Sequence, residues 1–283
     1  MGRRRRVRVP GSSANLGPGF DAMAAAVSVH LELEVEETGE FFVHTDAPGV
    51  PADRSNLCVQ AFEALHSADG LTFQIRSEIP IAAGLGSSAA AIVAGLVAAD
   101  HLYELDAPIF EVARELEGHP DNVAAALRGG FVVCTADGAD RFEPPPGLEG
   151  VIAIPPEPVP TADARSALPD EVPMADAVHN VGRAALLILG LQRNDLDLIG
   201  RSLDDRIHQP RREHLDPGSM ELVRAARELG AVGASISGAG PTVLFWVHWQ
   251  QTGSVMEAVR KAAPDCDVRR VQFTPAAADV REL

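Results

Sequence analysis

Pro80-Ile81-Ala82-Ala83-Gly84-Leu85-Gly86-Ser87-Ser88-Ala89-Ala90-Ala91 is the stretch on which the rest of the chain turns. Before it, Leu71 to Ser77 alternates apolar and polar residues and predicts a strand. After it, Ala89 to Asp100 is almost wholly apolar and predicts a buried helix. Strand, glycine loop and helix N-terminus together make a site for an anion. Glycine lets a ligand approach the backbone closely. The first N–H groups of a helix lack internal partners, and the helix dipole favours negative charge there. Ser87 and Ser88 add hydroxyls suited to a phosphate oxygen or a magnesium ion. The stretch is not a Walker A loop, which places Lys after its last Gly. Lys261 is the one lysine of the chain, which also excludes the protein-kinase plan with its strand lysine. The plain alternative is a Gly/Ser cap on a core helix of small residues.

At 283 residues the chain is long enough for about two domains and a sizeable core. Its net charge of −16 opposes general affinity for nucleic acid or an anionic membrane, though one local site can still hold an anionic substrate. Cys58, Cys134 and Cys266 are far apart and form no CxxC pair, so no zinc signature exists and a reducing cytoplasm is expected. The N-terminal run Arg3 to Arg6 reads as a solvated arm leading into a strand, with no signal-peptide pattern. Ala89 to Ala99 is shorter than the ~20 residues of a membrane span.

Arg5 to Pro10 predicts a short strand, and Pro10 to Asp21 a loop rich in Gly, Pro, Ser and Asn. Asn15 and Asp21 either face a small polar ligand or serve turn chemistry. Val27 to Glu36 alternates as a half-buried strand, with Phe41 to Thr45 as its partner. Ser55 is placed to cap a helix from Asn56 to about Ser67. Asn56 then either reads an adenine edge or is an ordinary first-turn residue. Pro108 opens a helix to Glu117, followed by Gly118-His119-Pro120-Asp121-Asn122 and a short helix to Leu127. Glu117, His119, Asp121 and Asn122 suit a magnesium ligand and the orientation of a hydroxyl, or simply a helix-to-helix turn. Phe131 to Thr135 predicts a further strand.

Two proline-rich segments around Val151 to Ile154 mark a boundary, giving units of residues 1–148 and 149–283. The second unit reads as strand 151–154, helices 174–193, 195–203 and 218–229, strands 232–237 and 242–248, helix 251–263 and strand 268–273. That order suits an α/β sandwich with helices on one face. Thr161 and Arg165 lie four apart on one helical turn, and Gln209 to Glu213 is read as a loop carrying Arg211 and Arg212. Two separated arginines suit a bidentate carboxylate clamp, or surface ion pairs. Ser235 to Thr242 joins two strands through glycines that allow close approach of a ligand.

Three motifs, in this order, resemble the GHMP small-molecule kinases from about Val7 to Phe273. They are Pro10 to Asp21, Pro80 to Ala90 and Ser237 to Thr242. His119-x-Asp-Asn122 and Thr161-Ala-x-Ala-Arg165 narrow the resemblance to the branch that phosphorylates homoserine. It implies an α+β two-domain fold, with an N-terminal half like ribosomal protein S5 domain 2 and a ferredoxin-like C-terminal α/β sandwich. It implies ATP and Mg2+ as cofactors, L-homoserine as acceptor, O-phospho-L-homoserine for threonine synthesis as product, and a homodimer. By the same resemblance, Pro80, Gly84, Leu85, Gly86, Ser87, Ser88 and Ala89 hold the ATP phosphates, and Asn56 lies at the adenine. Ser87, favoured over Ser88, holds magnesium with Glu117. Asn15 and Asp21 take the substrate's polar groups, Asp21 its ammonium. Arg165 and Arg212 grip its carboxylate with Thr161 in support, and Gly238 approaches it through backbone. His119 and Asn122 face the reacting end. No side chain is assigned as general base. Ala82 stands where a glycine is frequent, the Glu117 to His119 connection is short, and Arg211 and Arg212 adjoin. The alternatives are a GHMP kinase for mevalonate, galactose or shikimate, and a catalytically silent metabolite-binding regulator.

Overall fold

Alternating sequence near the N-terminus forms two long antiparallel strands, β1 (Arg4–Ala14) and β2 (Met23–Glu37). The computed structural model describes residues 2–47 and 49–283. Five more strands complete the first sheet. β4 (Leu71–Ser77) pairs with β2, and β3 (Phe42–Thr45) lies parallel to β4. β5 (Phe131–Thr135) pairs with β2 and with β6 (Gly138–Phe142). β11 (Asp279–Glu282) returns from the chain's end to the free edge of β1. This last strand departs from the division expected at 149–283, since residues 279–282 belong to the first sheet.

β1 also continues through Pro10–Ala14, where the sequence predicts a loop. A register shift between Pro10 and Gly11 lets it do so. Ser12 and Ser13 are fully buried there, and the Ser12 N–H donates to the Leu85 carbonyl at 3.0 Å. The phosphate-loop candidate is thereby fastened to the central strand.

Four helices cover this sheet: α1 (Leu57–Glu63), α2 (Ser87–Tyr103), α3 (Ile109–Glu117) and α4 (Asp121–Arg128). α2 packs on α1, β1 and β2, with α3 and α4 beside it, so its small apolar residues are buried on nearly every side. α1 starts one residue later than expected. Asn56, not Ser55, caps it by accepting from the Cys58 N–H at 2.9 Å.

The second sheet is antiparallel in the order β10-β7-β9-β8, with β7 Leu148–Ile154, β8 Gly233–Ile236, β9 Val243–His248 and β10 Asp267–Gln272. Its helices are α5 (Thr161–Ser166), α6 (Met174–Arg193), α7 (Leu196–Ser202), α8 (Gln209–Arg212), α9 (Pro217–Ala225) and α10 (Thr252–Ala262). Val151, Val243, Phe245 and Val247 face α9 and α10 in one core cluster. Ile152, Leu244 and Trp246 alternate to the other face. There they join the main core, which includes Leu187 of α6 and Ile199 of α7. Trp246 is fully buried, with ring centroids 5.9 Å from Phe131 and 5.1 Å from Phe273. A large apolar side chain buried to that degree contributes about 1.5–3 kcal/mol, and here it does so at the seam between the two units.

Candidate active site

The glycine loop is held in shape from both sides. Gly84 and Gly86 take φ of 77° and 69°, a region that favours glycine. A Cβ on Gly84 would lie 2.2 Å from the Ser237 carbonyl oxygen, and one on Gly86 would lie 2.2 Å from Ser12 Oγ. Ser237 Oγ is 2.6 Å from the Gly84 carbonyl oxygen and 2.8 Å from Ser13 Oγ. The turn after β8 therefore braces the loop against β1. Leu85 and Ala89 are buried in the main core, and neither they nor Pro80 line the two cavities beside the loop. Gly86 precedes α2 without a side-chain cap, which leaves the first N–H groups of the helix available to a ligand.

Two cavities meet at Ala82, Ser87, Ser88 and Thr161. One is largely apolar, with Leu31, Val50, Ile75, Ile79 and Ala91 in its wall. Asn56 lies in that wall too, where Oδ1 caps α1 and one Nδ2 hydrogen is donated to the Pro51 carbonyl at 2.8 Å. It is 1 % exposed. Asn56 thus stands in the wall where the sequence places the adenine and also serves as the cap of α1.

The other cavity is polar and gathers Asn15, Asp21, Gly84, Gly86, Glu117, His119, Asn122, Arg165, Arg212 and Gly238. At its floor Ser88 Oγ donates to Glu117 Oε1 at 2.5 Å. The serine paired with the carboxylate is thus Ser88, while Ser87, favoured in the sequence for the metal, lines both cavities beside it. Burial raises the Glu117 pKa. His119 lies with Nδ1 3.2 Å from Asp121 Oδ1 and Nε2 3.9 Å from Glu117. Its hydrogen bond to Asp121 raises the imidazole pKa against the opposing effect of burial. Asn122 Oδ1 accepts from Ser12 Oγ at 2.8 Å, so its amide N–H2 remains for a ligand.

Across the cavity, Arg165 Nη1 and Nη2 donate to the two carboxylate oxygens of Asp21 at 2.9 and 3.1 Å. Asn15 Oδ1 accepts from the Asp21 N–H at 3.0 Å, and its Nδ2 donates to the Gly238 carbonyl at 2.8 Å. Asn15 and Asp21 hold φ of 70° and 52°, strained for residues with a Cβ. Arg212 lies on α8, a single helical turn where the sequence predicts a loop. Its Nε donates to the Ala164 carbonyl at 2.9 Å and its Nη1 to the Gly238 carbonyl at 3.1 Å. Burial lowers its pKa to about 10, so it stays charged at neutral pH. Thr161 is exposed at the start of α5, within reach of both cavities.

Four residues here were not foreseen. Asn180, Asp205 and His208 form a buried polar cluster behind Arg212. The Phe20 ring lies 5.3 Å from that of His208, with the guanidinium carbons of Arg165 and Arg212 at 5.8 and 5.4 Å. The only signal in the sequence was adjacency: Phe20 precedes Asp21, and His208 stands one turn before Arg212.

The chain is similar to known proteins over most of its length. Residues 56–130 match the GHMP kinases N terminal domain and residues 187–265 the GHMP kinases C terminal domain. The chain is 43 % identical over 264 residues to a homoserine kinase of Thermus thermophilus, covering 90 % of each chain. It is 40 % identical over 262 residues to homoserine kinase of Moorella thermoacetica, covering 87 % of this chain and 88 % of that one. Among solved structures, homoserine kinase from Cytophaga hutchinsonii superposes with a TM-score of 0.86 at 30 % identity, covering 98 % of this chain and 97 % of that one. Leishmania major mevalonate kinase, at 19 % identity and a TM-score of 0.73 over 95 % of this chain and 96 % of that one, shares the fold.

Proposed function

The chain belongs to the GHMP kinases, and from that premise we propose how its residues phosphorylate the side-chain hydroxyl of L-homoserine with ATP. The observation that carries the reading is a polar cavity with both signs of charge, Asp21 against Arg165 and Arg212, opening directly onto the glycine loop. An α-amino acid needs that combination. Asp21 receives the ammonium, Arg165 and Arg212 the carboxylate, and Asn15 steadies the Asp21 backbone.

The ATP phosphates lie on the N–H groups of Gly84 to Ser88, with the base in the adjoining apolar cavity. Magnesium, when bound, neutralises charge on the transferring phosphates. Ser88 and Glu117 fit it, because the buried Glu117 carboxylate has a neutral hydroxyl as its nearest hydrogen-bond donor and gains most from a cation. Asn122 donates to the acceptor oxygen and sets its line of approach.

That oxygen attacks the γ-phosphorus, the bond from phosphorus to the ADP oxygen breaks, and the hydroxyl proton passes to an oxygen of the transferred phosphoryl group. No side chain is needed as base. Asp21 is turned towards Arg165 and His119 towards Asp121. A loose transition state depends on position and charge neutralisation. α6 is long and apolar enough by composition to cross a membrane, but Leu187 and Leu191 pack in the core and Asn180 is hydrogen-bonded within it. No membrane role is assigned.

The test is ADP release with ATP and magnesium, comparing L-homoserine, L-threonine, L-serine, mevalonate and galactose. Strong turnover with L-homoserine alone supports the reading. Turnover with a non-amino acid overturns the zwitterion clamp, and ATP binding without turnover favours a regulator.

A further inference from the structure

We propose that Asp205, Asn180 and His208 are positioning residues for the substrate clamp: a buried relay that fixes the loop carrying Asp21 against the helix carrying Arg212. The inference rests on the reading of Arg212 as a carboxylate ligand, and it starts from a concentration of polar groups that the catalytic site does not use. The side chains of Asp205 and His208 are both fully buried. Such groups are costly to bury unless each finds partners, so the network they make is specific.

Asp205 is the hub. One of its oxygens accepts from Asn180 Nδ2 at 2.7 Å and from the Ile207 N–H at 2.9 Å. The other accepts from the His208 N–H at 3.0 Å and the Gln209 N–H at 2.7 Å. Four donors converge on one carboxylate and set the path of the backbone into α8. From this hub two arms reach the loop after β1. Asn180 Nδ2 also donates to the Pro18 carbonyl at 3.2 Å, and His208 Nε2 donates to the Gly17 carbonyl at 2.7 Å. Gly17 lies close against the backbone of Leu203, where a Cβ would come within 2.5 Å of the carbonyl oxygen.

The tautomer of His208 follows from its partners. A carbonyl only accepts, so Nε2 carries the proton and Nδ1 keeps its lone pair. That lone pair faces Arg212 Nη1 at 3.4 Å. A neutral His208 therefore links the two sides, donating to the loop and accepting from the guanidinium. Burial lowers its pKa in the same sense. With Nε on Ala164 and Nη1 shared between Gly238 and His208, Arg212 is held in one rotamer. Its Nη2 has no protein partner among the described residues and remains for the ligand. Gly17 and Pro18 stand four and three residues before Asp21. The relay thus sets the span between the groups assigned to the substrate's ammonium and carboxylate.

Steady-state kinetics with L-homoserine and ATP varied separately test this, with thermal unfolding measured alongside. His208→Leu removes both links and is expected to raise KM for homoserine about tenfold or more, with KM for ATP within about twofold. His208→Gln, whose amide both donates and accepts, is expected to restore most of the loss. Asn180→Ala, which leaves His208 in place, gives a smaller rise in the same constant. Combined with Arg212→Met, His208→Leu adds little, because it acts through Arg212. Parallel rises in both KM values, fully additive effects, or an unchanged KM for homoserine in His208→Leu or Asn180→Ala overturn the relay. Arg212→Met leaving KM for homoserine untouched overturns the reading of Arg212 itself, which separates the two failures.

Discussion

Asp21 and Arg165, 144 residues apart in sequence, face each other through two parallel hydrogen bonds of 2.9 and 3.1 Å. Asp21 raises the guanidinium pKa, chiefly through these bonds. Each side chain is a ligand for one end of an α-amino acid, and without substrate each serves as the other's counterion. The pair is partly exposed, with 34 % of the Asp21 and 49 % of the Arg165 side chain accessible. An exposed ion pair contributes only about 0–1 kcal/mol, so an entering zwitterion displaces it at little cost. Asp21→Asn is expected to raise KM for homoserine about tenfold or more, with a smaller fall in kcat. Steady-state kinetics decide it. A collapse of kcat at unchanged affinity would make Asp21 the general base instead.

The Ser88 to Glu117 hydrogen bond predicts an asymmetry between neighbouring serines. Ser88→Ala is expected to raise the magnesium concentration required for half-maximal rate by about tenfold, and Ser87→Ala to move it much less. Titrating magnesium at fixed ATP for the two variants distinguishes them. A larger shift in Ser87→Ala would return the metal to Ser87.

Glycine substitutions should divide by surroundings. Gly84→Ala forces a Cβ into the Ser237 carbonyl at φ of 77° and is expected to lose about 1–3 kcal/mol of stability. Gly182, inside α6, has nothing within 4 Å of the place a Cβ would take. Gly182→Ala is therefore expected to gain about 0.5–1 kcal/mol through helix propensity. Urea unfolding measures both, and a stabilised Gly84→Ala would refute the brace between loop and turn.

His119 gives stability a definite pH dependence. Its pKa is raised in the folded protein by Asp121, so the protonated form is favoured by folding. The resulting stabilisation is complete below the ordinary histidine value of about 6.5 and disappears as pH rises through the raised value. Wild type should therefore exceed His119→Gln in unfolding free energy by more at about pH 6 than at about pH 8. A difference that is flat or grows with pH contradicts the pairing with Asp121.

Much of the framework was legible because it is local. Leu71–Ser77 and Met174–Arg193 form the strand and helix that their apolar spacing predicts. β6 and β11 were invisible for the converse reason. Gly-Ala-Asp-Arg-Phe and Asp-Val-Arg-Glu carry almost no apolar face, and they are strands because β5 and β1 offer free edges. Pro10–Ala14 reads as a loop by composition, yet pairing with β2 holds it extended.

In the site, the motifs gave Asp21 and Arg165 for opposite ends of one ligand but not the ion pair between them. Nothing around Gly17 announces His208, 191 positions away. Asn56 combines the two roles that the sequence offered as alternatives: it caps its own helix and lines the apolar cavity.

The return of β11 to β1 means that the chain passes between the two sheets twice, near residues 143–147 and again near 273–278. The second crossing is itself fastened to the first sheet: the Thr274 carbonyl accepts from the Gly130 N–H at 2.8 Å, and the Thr274 N–H donates to the Ala26 carbonyl at 3.0 Å. With Trp246 packed between Phe131 and Phe273, the two sheets are joined by hydrogen bonds and side-chain packing as well as by the chain. Those ties set the span from Arg165 and Arg212 to Asn15, so residues far from the cavity share in its dimensions.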